Sequence, residues 1–315
     1  MSAQCLPWAY DVVATFETRF QGDHAMLAVH PSESTAMSPV ASVRRIVHRT
    51  RGRSHGPITR LVSPSDLGER LKPFVFLDLI DARDLSRAEA PALGLHPHSG
   101  IATLTWLLEG AVDYEDDQGR QGSIEAGWME WMQAGSGAWH GGGFGDSDRL
   151  RGFQLWLALP PALELAAPFS RYIGPEQILS EGPVTVLLGA YGTARSPIDA
   201  PAPINYFSVK LRAGESWRFQ PPPGHDVAWA AVSVGSLRVP EAIGAGELVV
   251  FEEGGHEVAF FAREDTEFVF GTAAQHSYPL ATGYYSVHTS PQALKAGEAR
   301  IRELGKQIRT AGSAG

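Results

Sequence analysis

Two stretches of the chain, IEAGWMEWMQAG (124–135) and IGAGELVVFEEG (243–254), align without a gap. Ile124 falls on Ile243, Gly127 on Gly246 and Gly135 on Gly254, and upstream EGAV (109–112) resembles VGSL (234–237) in the same order. Each copy reads as a Gly turn, a strand, an x-A-G-x turn and a second, hydrophobic strand. A β unit of this size cannot bury its apolar face alone, so two copies of it imply two similar barrels in tandem.

The rest of the chain agrees with an all-β architecture. From about residue 42, short runs rich in Val, Phe, Trp and Thr recur between turn signals. FVFLDLI, IATLTWLL, WMEWMQA and FQLWLALP form a first group; VTVLLGA, NYFSVKL, VAWAAVSV, ELVVFEE, EVAFF and EFVFGTA form a second. Branched and aromatic side chains suit the half-buried surface of a pleated sheet, and runs this short are strands of sandwiches or barrels. Glycine (34) and proline (22) together outnumber the 26 Lys and Arg about twofold, as a turn-rich β protein requires.

Helix signals are scarce before residue 290. There Ser290 and Pro291 form an N-cap and first-turn pair. Leu294, Ile301, Leu304 and Ile308 follow at spacings of seven, three and four, which puts them on one helical face. This helix is expected to pack across a barrel; Gly297 and Gly305 lower its propensity, so packing must hold it. The expected organisation is an arm and linker over 1–41, a first barrel over 42–160, a connection over 161–182, a second barrel over 183–290, and a helix and tail over 291–315.

A net charge of −9 speaks against a general nucleic-acid or membrane-surface binder. The local basic cluster Arg44, Arg45, Arg49, Arg51 and Arg53 reads as a solvated loop or edge. Cys5 is the only cysteine, so no intrachain disulfide and no cysteine-based metal site can form. No signal peptide and no apolar run of membrane-spanning length is visible, and a cytoplasmic protein is expected.

The stretch HPHSGIATLTWLLEG (96–110) carries the chemistry. In a strand, residues i and i+2 point to the same side, so His96 and His98 can both face a barrel interior, with Pro97 stiffening the backbone between them. His140 follows WMEWMQAGSGAW, a strand and Gly-rich turn that could return antiparallel beside the first. Three converging imidazoles suit Fe(II), Ni(II), Cu(II), Mn(II) or Zn(II). A lone H-x-H is more often structural than ligating, but the repeat adds weight to the pair. In the second copy the corresponding positions fall near Pro221, Pro223 and Ala259, and His225 and His256 do not recreate the spacing. Only the first copy is equipped for chemistry.

The chain resembles the pirin family of bicupins. The resemblance rests on KPFVFLDLI (72–80), HPHSGIATLTWLLEGAVDYEDDQG (96–119), GWMEWMQAGSGAWH (127–140), GFQLWLALP (152–160) and GYYSVHTSPQALKAG (283–297). Family patterns at the second and third are close to HPHxGFETVTYLLEG and GDLQWMTAGxGxxHxE. What it implies is two tandem cupin (jelly-roll) barrels of which only the N-terminal one holds a metal, commonly iron. The implied ligands are His96, His98 and His140, with a glutamate at the position that is Gly142 here. The general cupin pattern offers a second carboxylate four residues after the second histidine, and here that position is Ala102. Glu109, Glu115 and Glu130 are expected at turns or on the outer face.

The resemblance therefore implies a three-histidine centre completed by water, a weaker metal site, or a pocket that binds something else. Members of the family have been associated with quercetin 2,3-dioxygenase activity, and others with regulatory binding to transcription factors or enzymes. The partners implied are a small aromatic substrate or another protein, without direct nucleic-acid or membrane contact. Since a ligand glutamate can double as the base for a flavonol proton, its loss predicts weak or absent flavonol cleavage. Trp106, Trp131, Trp139 and Trp156 are expected in the core or pocket lining, with Gln154, Trp156, Trp106, Ala102 and Gly142 as pocket candidates. Gly141–Gly143 are expected to form a flexible turn that widens the mouth.

Overall fold

The computed structural model describes residues 43–83, 93–145 and 147–312; the arm expected over 1–41, with Cys5, lies outside them. The two repeat copies fold alike. Gln121–Glu125 leads through Gly127 into Met129–Gln133, and Glu241–Gly244 leads through Gly246 into Leu248–Phe251. Gly127 and Gly246 hold φ of 83° and 74°, a left-handed turn that a Cβ disfavours, hence glycine at the same place in both copies.

Each unit grows into a seven-stranded and a four-stranded antiparallel sheet. In the first barrel the large sheet runs Phe169–Ile173, Met129–Gln133, Ile101–Glu109, Arg149–Ala158, Phe74–Arg83, Ile58–Val62, Arg53–His55. Its small sheet runs Leu93–His98, Ala138–Phe144, Ala111–Asp116, Gln121–Glu125. The fold is all-β: two tandem barrels and a C-terminal helix. Among the described residues no helix is long and apolar enough to cross a membrane.

Two strands cross the expected limits of the barrels. Ile46–Thr50, expected in the first barrel, pairs with Leu248–Phe251 of the second, Ile46 opposite Phe251 and Thr50 opposite Leu248. Phe169–Ile173, expected in the connection, pairs with Met129–Gln133 of the first. A period-2 pattern marks a strand, but it does not name the edge that the strand will join. Arg44, expected in a solvated segment, is fully buried; its guanidinium donates to the backbone carbonyls of His225 (2.6 Å), Asp226 (2.9 Å) and His256 (3.1 Å). Arg45, Arg49 and Arg51 do lie at the surface, paired with Glu252, Glu241 and Glu247.

The two large sheets cover each other. Leu104, Trp106, Trp131, Phe153 and Leu155 from the first share one core with Tyr206, Trp229 and Val250 from the second. The interior of the second barrel is a separate core of Trp217, Phe219, Phe251, Phe260, Phe268 and Phe270 with aliphatic neighbours.

The helix Pro291–Gly312 starts where expected, the Ser290 hydroxyl accepting the Ala293 N–H at 3.2 Å. Gly297 and Gly305 lie on its buried face and serve close approach. A Cβ on Gly297 would stand 2.4 Å from His288 Nε2 and 2.5 Å from Ser99 Oγ, and one on Gly305 would stand 2.6 Å from the Trp139 ring. The Trp139 indole N–H in turn donates to Ile301 O at 2.9 Å. Although alanine favours an isolated helix by about 1 kcal/mol over glycine, Gly297→Ala is expected to destabilise the protein by about 1–3 kcal/mol through overpacking. Exposed Lys295→Ala should stay within about 0.5 kcal/mol of the parent; thermal unfolding of the two variants checks the contrast.

Candidate metal centre

Leu93–His98 and Ala138–Phe144 pair antiparallel with His140 directly opposite His96 and Ala138 opposite His98. That register puts all three imidazoles on one face of the small sheet. Ring centroids are 4.7 Å apart for His96 and His140, 4.9 Å for His96 and His98, and 5.1 Å for His98 and His140. One nitrogen from each ring lies within 4.8 Å of the others.

The second nitrogen of each ring is engaged. His96 Nδ1 donates to Gly94 O at 2.9 Å, His98 Nδ1 to Tyr285 O at 3.2 Å, and His140 Nδ1 to Glu130 Oε1 at 3.3 Å. A carbonyl or an ionised carboxylate can only accept, so each Nδ1 carries the proton and each Nε2 keeps its lone pair. Burial, and then the neighbouring His140, hold His96 down at about 4. Burial, with His140 and His96 beside it, keeps His98 well below the usual imidazole range. Two rings held neutral by burial, a third oriented by a carboxylate, and N–H groups fixed by acceptors are what a divalent transition ion needs. The donor set fits such an ion.

Opposite the histidines, the inner face of the large sheet carries a polar row. Strand pairing aligns Tyr172 with Glu130, Glu130 with Thr105, Thr105 with Gln154, Gln154 with Asp78, and Asp78 with Arg60. The Thr105 hydroxyl donates to Glu130 Oε2 at 2.7 Å and stands 2.8 Å from the Gln154 amide. Having one proton, it must receive from Gln154, whose amide therefore presents its NH2. Burial would raise the Glu130 carboxyl, but the hydrogen bond and charge of His140, then the Thr105 bond, outweigh it and hold the group below its ordinary value. At the other end Arg60 grips Asp78 with Nε–Oδ1 2.5 Å and Nη2–Oδ2 3.0 Å. Its guanidinium lies 3.9 Å over the Phe76 ring, which stacks on Trp156 at 3.9 Å. Histidines, polar row and aromatic wall enclose a cavity of about 410 Å³.

Several expected positions fall elsewhere. Glu130 is not at a turn or on the outer face; it is buried, lines the cavity and touches His140. Its signal was an acidic residue inside the apolar run MEWMQ, where alternation sets it opposite in direction to Trp131. Ala102 and Trp106 belong to the core between the barrels, because they alternate with the inward Thr105, so a carboxylate at 102 would point away from the histidines. Gln154 and Trp156 do line the cavity. Glu115 is exposed, and Glu109 pairs with Arg149 and Arg151.

Gly141–Gly143 form no turn. They continue the His140 strand, paired to Ala111–Asp116, with a bulge between His140 and Gly142 on the side of His96. A Cβ on Gly142 would stand 2.0 Å from Asp113 O, so the neighbouring backbone occupies the space a side chain there would need. Tyr285 and Asp78 lie in stretches that carry the family resemblance, GYYSVHTSPQALKAG and KPFVFLDLI, but nothing in those stretches marked them, or Arg60, as cavity residues.

Fold and site together define a two-barrel protein of the cupin type with a three-histidine centre in one barrel. The Pirin family model matches residues 57–157. A pirin-like protein of Caulobacter vibrioides is 37% identical over 191 residues, covering 58% of this chain and 68% of that protein. A candidate quercetin 2,3-dioxygenase of Pseudomonas aeruginosa is 32% identical over 217 residues, 63% of this chain and 74% of that one. The crystal structure of a quercetin 2,3-dioxygenase from Acinetobacter baumannii shares the fold, with a TM-score of 0.74 at 23% identity over 82% of this chain and 96% of that chain. The chain belongs to the pirin family.

The packing at Gly142 predicts that a glutamate cannot simply be put back. Gly142→Glu should lower stability by about 1–3 kcal/mol, the cost of overpacking against fixed backbone. Gly143→Ala, whose Cβ would meet nothing within 4 Å, should be near neutral in the same thermal melts.

Proposed function

We propose that this protein is a metal-dependent oxygenase for small planar hydroxylated aromatics, with flavonols the first substrates to test. One transition ion, Fe(II) before Ni(II), Cu(II), Mn(II) or Zn(II), would be held by His96, His98 and His140 in the N-terminal barrel only. The observation that carries this reading is the meeting, in one cavity of about 410 Å³, of three imidazoles with free Nε2 atoms and one ionised carboxylate, Glu130. The Pseudomonas aeruginosa relative, named for quercetin 2,3-dioxygenase, supports the choice of substrate.

When bound, the ion supplies Lewis acidity and open positions for a substrate oxygen and for dioxygen. Glu130 is the base that the motif lacks at Gly142. Each of its oxygens accepts one hydrogen bond from protein, which leaves a lone pair for a substrate hydroxyl proton. The Thr105–Gln154 chain holds Glu130 in place, and Glu130 holds His140 in the ligating tautomer. Phe76 and Trp156 offer a flat apolar wall, while Ile58, Ile80 and Leu150 keep the rest of the cavity unfriendly to bulk water.

Metal analysis of purified protein after Fe(II) reconstitution should find close to one equivalent, lost in His140→Ala. Glu130→Gln should still bind metal, roughly 10- to 100-fold more weakly for want of a charged partner on His140. Its aerobic consumption of quercetin should fall by about 100-fold or more at saturating metal. Unchanged turnover in Glu130→Gln would remove Glu130 from the chemistry. A folded parent protein that takes up no metal would instead favour a regulatory role through a protein partner.

A further inference from the structure

One wall of the cavity comes from outside both barrels. The hairpin of Ala281–Gly283 and Ser286–His288, placed after the second barrel and before the helix, turns through Tyr284 and Tyr285. Tyr285 has φ 52°, the one left-handed non-glycine among the described residues. Two-residue hairpin turns demand positive φ and usually recruit glycine or asparagine for it. A bulky residue held there is strained, and strain of this kind persists where the surroundings use it.

Both ends of Tyr285 are used. Its carbonyl accepts the His98 Nδ1–H at 3.2 Å, which sets the ring that is buried deepest in the centre. Its own ring lies 5.5 Å from His96, 5.7 Å from His98 and 6.3 Å from Trp156, and lines the cavity while 39% exposed. The phenol ring thus stands at the mouth, beside two of the three imidazoles.

The hairpin is clasped to the first barrel from below. Ser99, next to His98, has its Oγ 2.8 Å from Ser286 Oγ and 3.0 Å from His288 Nε2. His288 Nδ1 donates to Glu164 at 3.2 Å, and the same carboxylate accepts the Thr289 N–H at 2.7 Å and hydroxyl at 2.6 Å. Ser99, His288 and Glu164 follow the order of a hydrolase triad, but all three are buried and no substrate reaches Ser99. The network acts as a staple, and the Tyr285 turn is what it holds.

We propose that Tyr285 is a positioning and specificity residue of the centre: its carbonyl fixes the His98 imidazole, and its ring gates passage between solvent and the three histidines. This rests on the metal-centre reading above, and it assigns part of that site to the C-terminal half of the chain.

Two substitutions separate backbone from ring. Tyr285→Gly removes the ring and suits the left-handed turn; Tyr285→Val also removes the ring but puts a β-branched residue where the turn cannot accommodate it. Full-length protein, its fold checked by thermal melting, is loaded with Co(II), and affinity, visible absorption and the rate of stripping by EDTA are measured. Both variants should lose Co(II) to EDTA roughly tenfold faster than the parent, because the shell around a site controls access to it. Tyr285→Val should in addition bind Co(II) about tenfold more weakly than Tyr285→Gly and show an altered visible spectrum, since His98 loses its oriented partner. Parent-like stripping of Tyr285→Gly overturns the gate, and equal affinity and spectra for the two variants overturn the anchor. Failure of the parent to bind Co(II) would instead reject the metal centre itself, and this assignment with it.

Discussion

The burial of two large sheets against each other governs where every other residue can go. Each strand in the middle of the first barrel's large sheet is covered on both faces, by the second barrel outside and by the cavity walls inside. Leu104, Trp106, Trp131, Phe153 and Leu155 fill the shared core, each worth about 1.5–3 kcal/mol for a large apolar side chain taken out of water. Because side chains alternate, that choice sends Thr105, Glu130 and Gln154 inward. A slip of one residue would drive the Glu130 carboxylate into the Trp229 and Tyr206 side of the core, at a cost of several kcal/mol for an unpaired buried charge. The polar row that faces the histidines is thus held in register by the apolar surface behind it.

The same repeat yields a hollow barrel and a filled one. In the second barrel Phe260 sits 5.0 Å from Phe268 and 5.3 Å from Phe270, and Trp217 stacks on Phe260 at 5.2 Å. Interdigitated rings pack its interior, and the positions that would carry histidines are prolines and an alanine. In the first barrel the corresponding space is bounded by Thr105, Glu130, Gln154 and the Arg60–Asp78 pair, and it remains open. The helix and the clasped hairpin lean on this open barrel, so the C-terminal end of the chain contributes to the site that the first half builds.

The three histidines were legible because their placement depends only on strand alternation and one antiparallel return, and so was the helix face with its Ser290 cap. That the second copy does not repeat the spacing of His96, His98 and His140 was legible from the repeat. The direction of Glu130 was not, although the alternation that decides it lies in five residues, since MEWMQ by itself does not say which side of its strand faces the cavity. Ala102, read as a pocket candidate, and Trp106, read as core or pocket lining, are turned by the same alternation to the core between the barrels. Gly141–Gly143 looked like a turn; neighbouring strand pairing makes them a bulged strand whose glycines admit the Asp113 carbonyl.

What the sequence by itself determined is therefore the all-β class, the duplication, the ligand-type residues and the helix, each the product of local periodicity or of residue chemistry at short spacing. Only the tertiary structure decided that Ile46–Thr50 joins the distant barrel, that the Glu130 carboxylate of a neighbouring strand meets His140 in the cavity, and that Tyr285 reaches the histidines from far along the chain. Such outcomes depend on which sheet faces and edges are buried together, and burial is a property of the assembled chain that no local pattern contains.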